Sequence, residues 1–228
     1  MKRLVGLGLG MVMLAVLAVV SPQEANGQSA GLVSSVLNKM EQNRQSLKAL
    51  RAGISMEKYN SQLRNSEKIE GVIAYTPAAG RSANVRIEWE KPHEILTVAK
   101  GQYWLYKPRL GVVYTGKPSR NNGGGITDLM NMSRAQLQAR FEPFQDVREE
   151  TLWGGVSTIH LRLVPKGGAN FKYAEIWVDS YGMPVQTKVV EKNDDATTVR
   201  LRNLERNVKI SSDLFTQKID SNIKVIKT

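Results

Sequence analysis

The sequence predicts an α+β, mainly β protein: a curved antiparallel sheet whose concave apolar side is covered by helices. Three observations carry this. From Leu50 onward apolar residues recur at every second position in one segment after another, the period of half-buried strands. The connections between these segments are short and carry Gly, Pro and Asn, which suits hairpins and excludes the crossover of a dozen or more residues that parallel pairing needs. At two places the period changes to three and four residues, once before the first strand and once in mid-chain, which adds helices to the sheet.

Lys2 and Arg3 precede an apolar run from Leu4 to Val20, and Ala25, Asn26 and Gly27 offer a small-x-small cleavage site. Residues 1–27 therefore read as a cleaved signal peptide, and export from the cytoplasm is expected. The run contains Gly6, Gly8 and Gly10, stops at Ser21-Pro22, and falls short of the ~20 apolar residues of a spanning helix; an uncleaved anchor is the alternative. Cleavage removes Lys2, Arg3 and Glu24, which lowers the formal charge of +11 by one, to +10. Residues 28–228 have the size of a single β domain, with no fixed-period repeat or Pro-rich linker. Cysteine is absent, which rules out disulfides, a thiolate nucleophile, a zinc site built on sulfur and a lipidated cysteine.

The first helix is marked by Leu32, Val33, Val36, Leu37, Met40, Leu47 and Leu50 at three- and four-residue steps. Leu50, Ala52, Ile54 and Met56 then alternate with polar or small residues as the first strand. Further strands are expected over Lys68–Thr76, Asn84–Glu90, Glu94–Lys100, Gln102–Lys107, Val112–Gly116, Phe144–Leu152, Ser157–Val164, Lys172–Val178, Pro184–Lys192 and Thr197–Val208. The meander is interrupted by a glycine-rich loop, 119–125, followed by Ile126, Leu129, Met130, Met132, Leu137 and Phe141. Ser133 with Gln136 three residues later is a capping-box pattern that starts a helix over Arg134–Arg140.

Catalysis finds no support. His93 lies beside Pro92 in a turn, and His160 shares a strand face with Thr158 and Arg162, so both read as surface or packing residues. No His-Glu-x-x-His, Gly-x-Ser-x-Gly or Ser-x-x-Lys pattern occurs in a suitable context. Gly123-Gly124-Gly125 lacks the Lys-Ser/Thr of a phosphate loop. An enzyme, a metal site and a cofactor are not expected, and nucleic acid is an improbable partner after export. The positive balance suits anionic membrane surfaces or an acidic partner, although the arginines of Val199-Arg200-Leu201-Arg202 also fit the solvated face of a half-buried strand.

Taken in order, several features resemble the periplasmic carrier proteins of the outer-membrane lipoprotein-sorting pathway. They are the N-terminal helix; Trp89 to Pro92; Gly101-Gln102-Tyr103-Trp104-Leu105-Tyr106-Lys107-Pro108; Leu161-Arg162-Leu163-Val164-Pro165; Ile176-Trp177-Val178-Asp179-Ser180-Tyr181-Gly182-Met183-Pro184; and a late Asn207 with Phe215. The resemblance implies an unclosed antiparallel β barrel of about eleven strands, with helices as a lid over an apolar cavity for acyl chains. It also implies an inner-membrane ABC-type lipoprotein-releasing transporter as donor and an outer-membrane receptor lipoprotein of the same fold as acceptor. The receptor form carries a lipidated cysteine, so the carrier form is the better match. After Phe215 the chain departs from the family pattern, running into Thr216-Gln217-Lys218-Ile219 and a basic tail.

On this resemblance the cavity residues are Ile54, Met56, Ile73, Val85, Ile87, Trp89, Leu96, Val98, Trp104, Ile159, Leu161 and Leu163. The lid residues are Met40, Leu129, Met130, Met132, Leu137 and Phe141, with flexible thioethers suited to an adaptable pocket. The family's lid-closing arginine is assigned to Arg81, although neither Arg81 nor Arg86 has the family's spacing to Trp89. Every one of these apolar residues also suits an ordinary core. The alternatives are a sensor or regulatory module of the same fold, resembling periplasmic regulators of envelope-stress anti-sigma factors, and a carrier of free lipid or glycolipid. A regulator would be expected to carry a second domain, and a carrier is expected to be a monomer.

Overall fold

The structure, a computed structural model, describes residues 24–78, 83–118, 125–219, 221 and 223–228. The bulk of the expected signal peptide lies outside them. Helix α1 (Glu24–Ser46) includes the expected cleavage site at Ala25–Gly27 and leads directly into the sheet. The strands are β1 (Leu50–Asn60), β2 (Asn65–Pro77), β3 (Ala83–Trp89), β4 (Glu94–Ala99), β5 (Gln102–Lys107), β6 (Val112–Gly116), β7 (Gln145–Leu152), β8 (Val156–Leu163), β9 (Phe171–Asp179), β10 (Pro184–Glu191), β11 (Ala196–Arg206) and β12 (Lys224–Lys227). Helices α2 (Ile126–Asn131) and α3 (Arg134–Arg140) lie between β6 and β7.

All strands belong to one 12-stranded sheet in the order β12-β6-β5-β4-β3-β2-β1-β11-β10-β9-β8-β7. Hairpins generate β1 to β6 and β7 to β11, and antiparallel pairing of β1 with β11 joins the two runs, for example Ile54 opposite Leu201. Strands β12 and β7 stay unpaired on their far sides among the described residues, so the barrel is unclosed. The expected unclosed barrel of about eleven strands is present, with 12 strands among the described residues. Strand β12 comes from the basic tail and runs parallel to β6, with Val225 opposite Val113. Its four residues are too few to show a period.

The helix expected over Arg134–Arg140 is α3, and α2 is a separate helix before it. The break falls at Ser133, an extended residue (φ −71°, ψ 161°) that caps α3. Its hydroxyl accepts from the Gln136 N–H at 3.3 Å, and the Gln136 side chain accepts from the Ser133 N–H at 2.8 Å. This reciprocal box satisfies two donors that would otherwise be orphaned, a cap worth about 1 kcal/mol.

Helix α1 is seated by the β9–β10 turn. Asp179 accepts from the N–H groups of Tyr181 and Met183 at 2.9 and 2.8 Å, while Arg206 donates to its other oxygen at 2.7 Å. Gly182, at φ +82°, approaches α1 so closely that a Cβ there would lie 2.1 Å from the Lys39 carbonyl oxygen. Asn207 closes the opposite end of the linker, accepting from the Lys48 N–H and donating its own N–H to the Ala49 carbonyl, both at 2.7 Å. The Asp179-to-Met183 stretch is thus a helix-docking turn.

Candidate functional site

Antiparallel partners share a sheet face, so the register separates inside from outside. Ala52, Ile73, Ile87 and Leu96 form one row across β1 to β4, and Leu50, Tyr75, Val85 and Val98 form the next. These residues, with Ile54 and Trp89, build a cluster on the concave side into which α2 inserts Ile126 and Met130; Met56, Leu96 and Val98 are its partly buried border. Leu161 and Leu163 share the concave face of β8 with the partly buried Ile159. They pack with Met40 of α1, Leu129 of α2, Leu137 of α3 and Phe141, and Met132 lies partly buried against the same cluster. The expected wall and lid residues, Trp104 and Arg81 apart, lie in two neighbouring clusters bridged by the opposite sides of α2.

Trp104 is a correction. It continues the row Ala74–Arg86–Thr97 onto β5, on the convex face, where it packs with Phe215, Ile210 and Leu214. Gln102–Lys107 reads Tyr-Trp-Leu-Tyr through its middle, so no alternation shows which side faces in. A 3-10 turn at Ser212–Phe215 packs on the outside of β3 and β4 at the same place.

Arg81 lies outside the described residues. Arg86 points outward to Glu88 at 2.6 Å and Thr97 at 3.3 Å. Among the described residues, a contact that the sequence did not reveal ties α2 to the sheet. The hydroxyl of Tyr75, 2% exposed on the concave face, donates to Asn131 Oδ1 at 2.5 Å. The Asn131 amide is in turn anchored to the Thr127 carbonyl of its own helix at 2.8 Å. Burial pushes the Tyr75 hydroxyl up to about 12, so it is a neutral donor at physiological pH. Helix α3 is held from α1, where Glu41 accepts the Arg134 N–H at 3.1 Å at the start of α3. The Arg134 guanidinium reaches back to Asn38. Hydrogen bonding from Arg44, at 2.5 Å, is the main reason the Glu41 carboxyl is held down at about 2.

A cavity of about 370 Å³ opens between α1 and β7 to β9. Leu32, Val36, Ile159 and Val178 form its apolar floor, and Lys39, Glu149 and Ser180 stand among its polar residues. Its size is near the small end of ligand pockets, which run from about 300 Å³.

On the convex face Asp146, His160 and Glu175 bring potential metal-ligand atoms within 4.8 Å of one another, a grouping that the sequence did not suggest. Glu175 already accepts from Arg162 at 3.0 Å and faces Lys188 at 3.8 Å. The Nδ1–H of His160 donates to the Asp146 carbonyl at 3.0 Å, whereas Nε2 lies 3.9 Å from Glu175. The imidazole and both carboxylates are thus already engaged by one another and by neighbouring cations. His160 is fully buried against Trp177, with ring centroids 4.7 Å apart.

Three comparisons with known proteins bear on this geometry. The profile of the family described as "Outer membrane lipoprotein carrier protein LolA" matches residues 60–218. No curated protein matches significantly. Among solved structures, an uncharacterized conserved protein from Thermus thermophilus superposes with a TM-score of 0.53 at 12% identity, covering 86% of this chain and 99% of that one. MucB superposes with a TM-score of 0.52 at 12% identity, covering 85% of this chain and 64% of that one. A LolA superfamily protein from Nitrosomonas europaea gives a TM-score of 0.41 at 11% identity, covering 81% of this chain and 97% of that one. At 12% identity the likeness to the first two shows the fold alone.

Proposed function

We propose, because the chain belongs to the outer membrane lipoprotein carrier protein LolA family, that it is a periplasmic carrier holding lipoprotein acyl chains between the concave sheet face and the α2–α3 lid. Its donor is an inner-membrane ABC-type lipoprotein-releasing transporter and its acceptor an outer-membrane receptor lipoprotein. No catalytic step is involved; the work is transfer between sites. Among the described residues no helix is long and apolar enough to cross a membrane.

The observation that carries this reading is the seating of α2. Ile126, Leu129 and Met130 are buried in the space an acyl chain would occupy, and one side-chain hydrogen bond, Tyr75 to Asn131, ties the helix to the sheet. Displacing each of these side chains costs about 1.5–3 kcal/mol as an upper estimate. Their sum equals the gain from roughly six to eleven buried methylenes at about 0.8 kcal/mol each. An entering chain therefore gives up part of its burial energy to displace lid contacts, which eases its onward transfer.

Native mass spectrometry after incubation with membranes holding lipoproteins tests this. The expected result is a triacylated protein bound to the wild type and absent from Leu129→Asp. A wild type that carries no acylated protein, yet co-purifies with an inner-membrane protein, would replace the carrier by a regulatory module of the same fold. Binding of free lipid alone would make it a lipid or glycolipid carrier.

A further inference from the structure

The convex face holds a second cavity, of about 270 Å³, that acyl transport leaves unused. It lies over β1, β2, β10 and β11, with the tip of the β7–β8 hairpin as its wall. Its centre is a row across three strands, since Arg200 stands opposite Ser55 on β1 and Gln186 on β10. Arg202 is two residues along the same face, and Lys68 borders the cavity from β2. The wall is Trp153, whose side chain leaves the residue 82% exposed.

The charges of this cavity are unbalanced. Lys68 and Arg202 share a single carboxylate, Glu70, at 2.9 and 3.2 Å. Glu57, opposite Lys68, is the one acidic residue lining the cavity. Arg200 has no carboxylate partner among the described residues, and its guanidinium donates to the main-chain carbonyl of Trp153. Burial, and then the neighbouring Arg202 charge, push the Arg200 guanidinium down, as expected of a cation that lacks a counter-ion.

We propose that this cavity binds a phosphate group, with Arg200 as its principal partner, Ser55 and Gln186 as further donors, and the Trp153 indole as its apolar wall. A tetrahedral anion with several acceptor oxygens can use a guanidinium fork, a hydroxyl and an amide together. The phosphate can come from a soluble phosphate ester or from the headgroup of an anionic phospholipid. Because Arg200 also holds the hairpin tip, occupancy would shift the environment of Trp153, which makes the indole a reporter.

The experiment titrates the full chain with glycerol phosphate, and separately with phosphatidylglycerol and phosphatidylcholine vesicles, following tryptophan emission and vesicle co-sedimentation. Trp153→Phe assigns the signal. A saturable change with glycerol phosphate, at least tenfold weaker in Arg200→Gln, supports a soluble ester. Binding confined to phosphatidylglycerol vesicles and lost in Arg200→Gln supports the headgroup. No binding in either arm, or equal binding by Arg200→Gln, overturns the proposal. Ser55→Ala gives an independent reading should Arg200→Gln fail to fold. Acyl loading by native mass spectrometry stays unchanged in Arg200→Gln, so failure of this site and failure of the carrier function are separately visible.

Discussion

Replacing Tyr75 by Phe removes one oxygen atom and, with it, the hydrogen bond that ties α2 to the concave face. A typical hydrogen bond contributes about 0.5–1.5 kcal/mol net, and orphaning a fully buried partner costs about 1–3 kcal/mol. Asn131 is half-buried, so water can reach its freed oxygen and the lower range applies. At about 1 kcal/mol the lid-opening equilibrium shifts roughly fivefold. Hydrogen exchange at the α2 amides should accelerate by that factor while the β1 and β2 amides keep their protection, and affinity for a fluorescent acyl probe should rise by a similar factor. A double-mutant cycle with Asn131→Ala should return a coupling of at least about 0.5 kcal/mol. Uniform loss of protection across sheet and helix, with no change in acyl binding, would show that Tyr75 is only core and would refute the latch. The latch also has a pH limit. The folded-state pKa of Tyr75, about 12, is raised above its ordinary value of 10.0, so its contribution is complete below about 10 and is lost as pH rises through about 12.

Glu41 behaves in the opposite sense, because its folded-state pKa of about 2 is depressed below the ordinary 4.5. Its contribution is present above about 4.5 and is lost as pH falls toward about 2. The melting temperatures of wild type and Glu41→Gln should therefore differ at pH 7 and converge in acid, as followed by circular dichroism. Gly182→Ala places a Cβ 2.1 Å from the Lys39 carbonyl oxygen at a φ of +82°. The variant should melt several degrees lower and lose amide protection first in α1, and an unchanged melting point would show that the turn yields without cost.

The strand pattern was legible wherever one face is buried and the other wet, as in β1, where Leu50, Ala52 and Ile54 are buried and Arg51 is exposed. The start of α3 was legible because a capping box is local, needing only Ser133 and Gln136. What stayed hidden depended on distance or on weak contrast. Tyr75 and Asn131 are 56 residues apart, and nothing in a tyrosine on an apolar strand face announces its partner. The direction of Trp104 was hidden by aromatic neighbours on both sides, and it is decided by the segment around Phe215 that packs outside the sheet. Helix α2 escaped notice as a separate element because the apolar residues from Ile126 to Phe141 run across its break with α3.

An unclosed sheet has two free margins, and each is a template on which another extended chain can add and seed aggregates. At one margin the unpaired side belongs to β12, a four-residue strand with lysine at both ends, which screens the longer, more apolar β6 from strangers. At the other, β7 carries Asp146, Arg148, Glu149 and Glu150 and is bulged between Gln145 and Arg148. Shortness, charge and irregularity are the devices by which sheets discourage edge-to-edge growth. Both margins of the open seam, among the described residues, carry such devices.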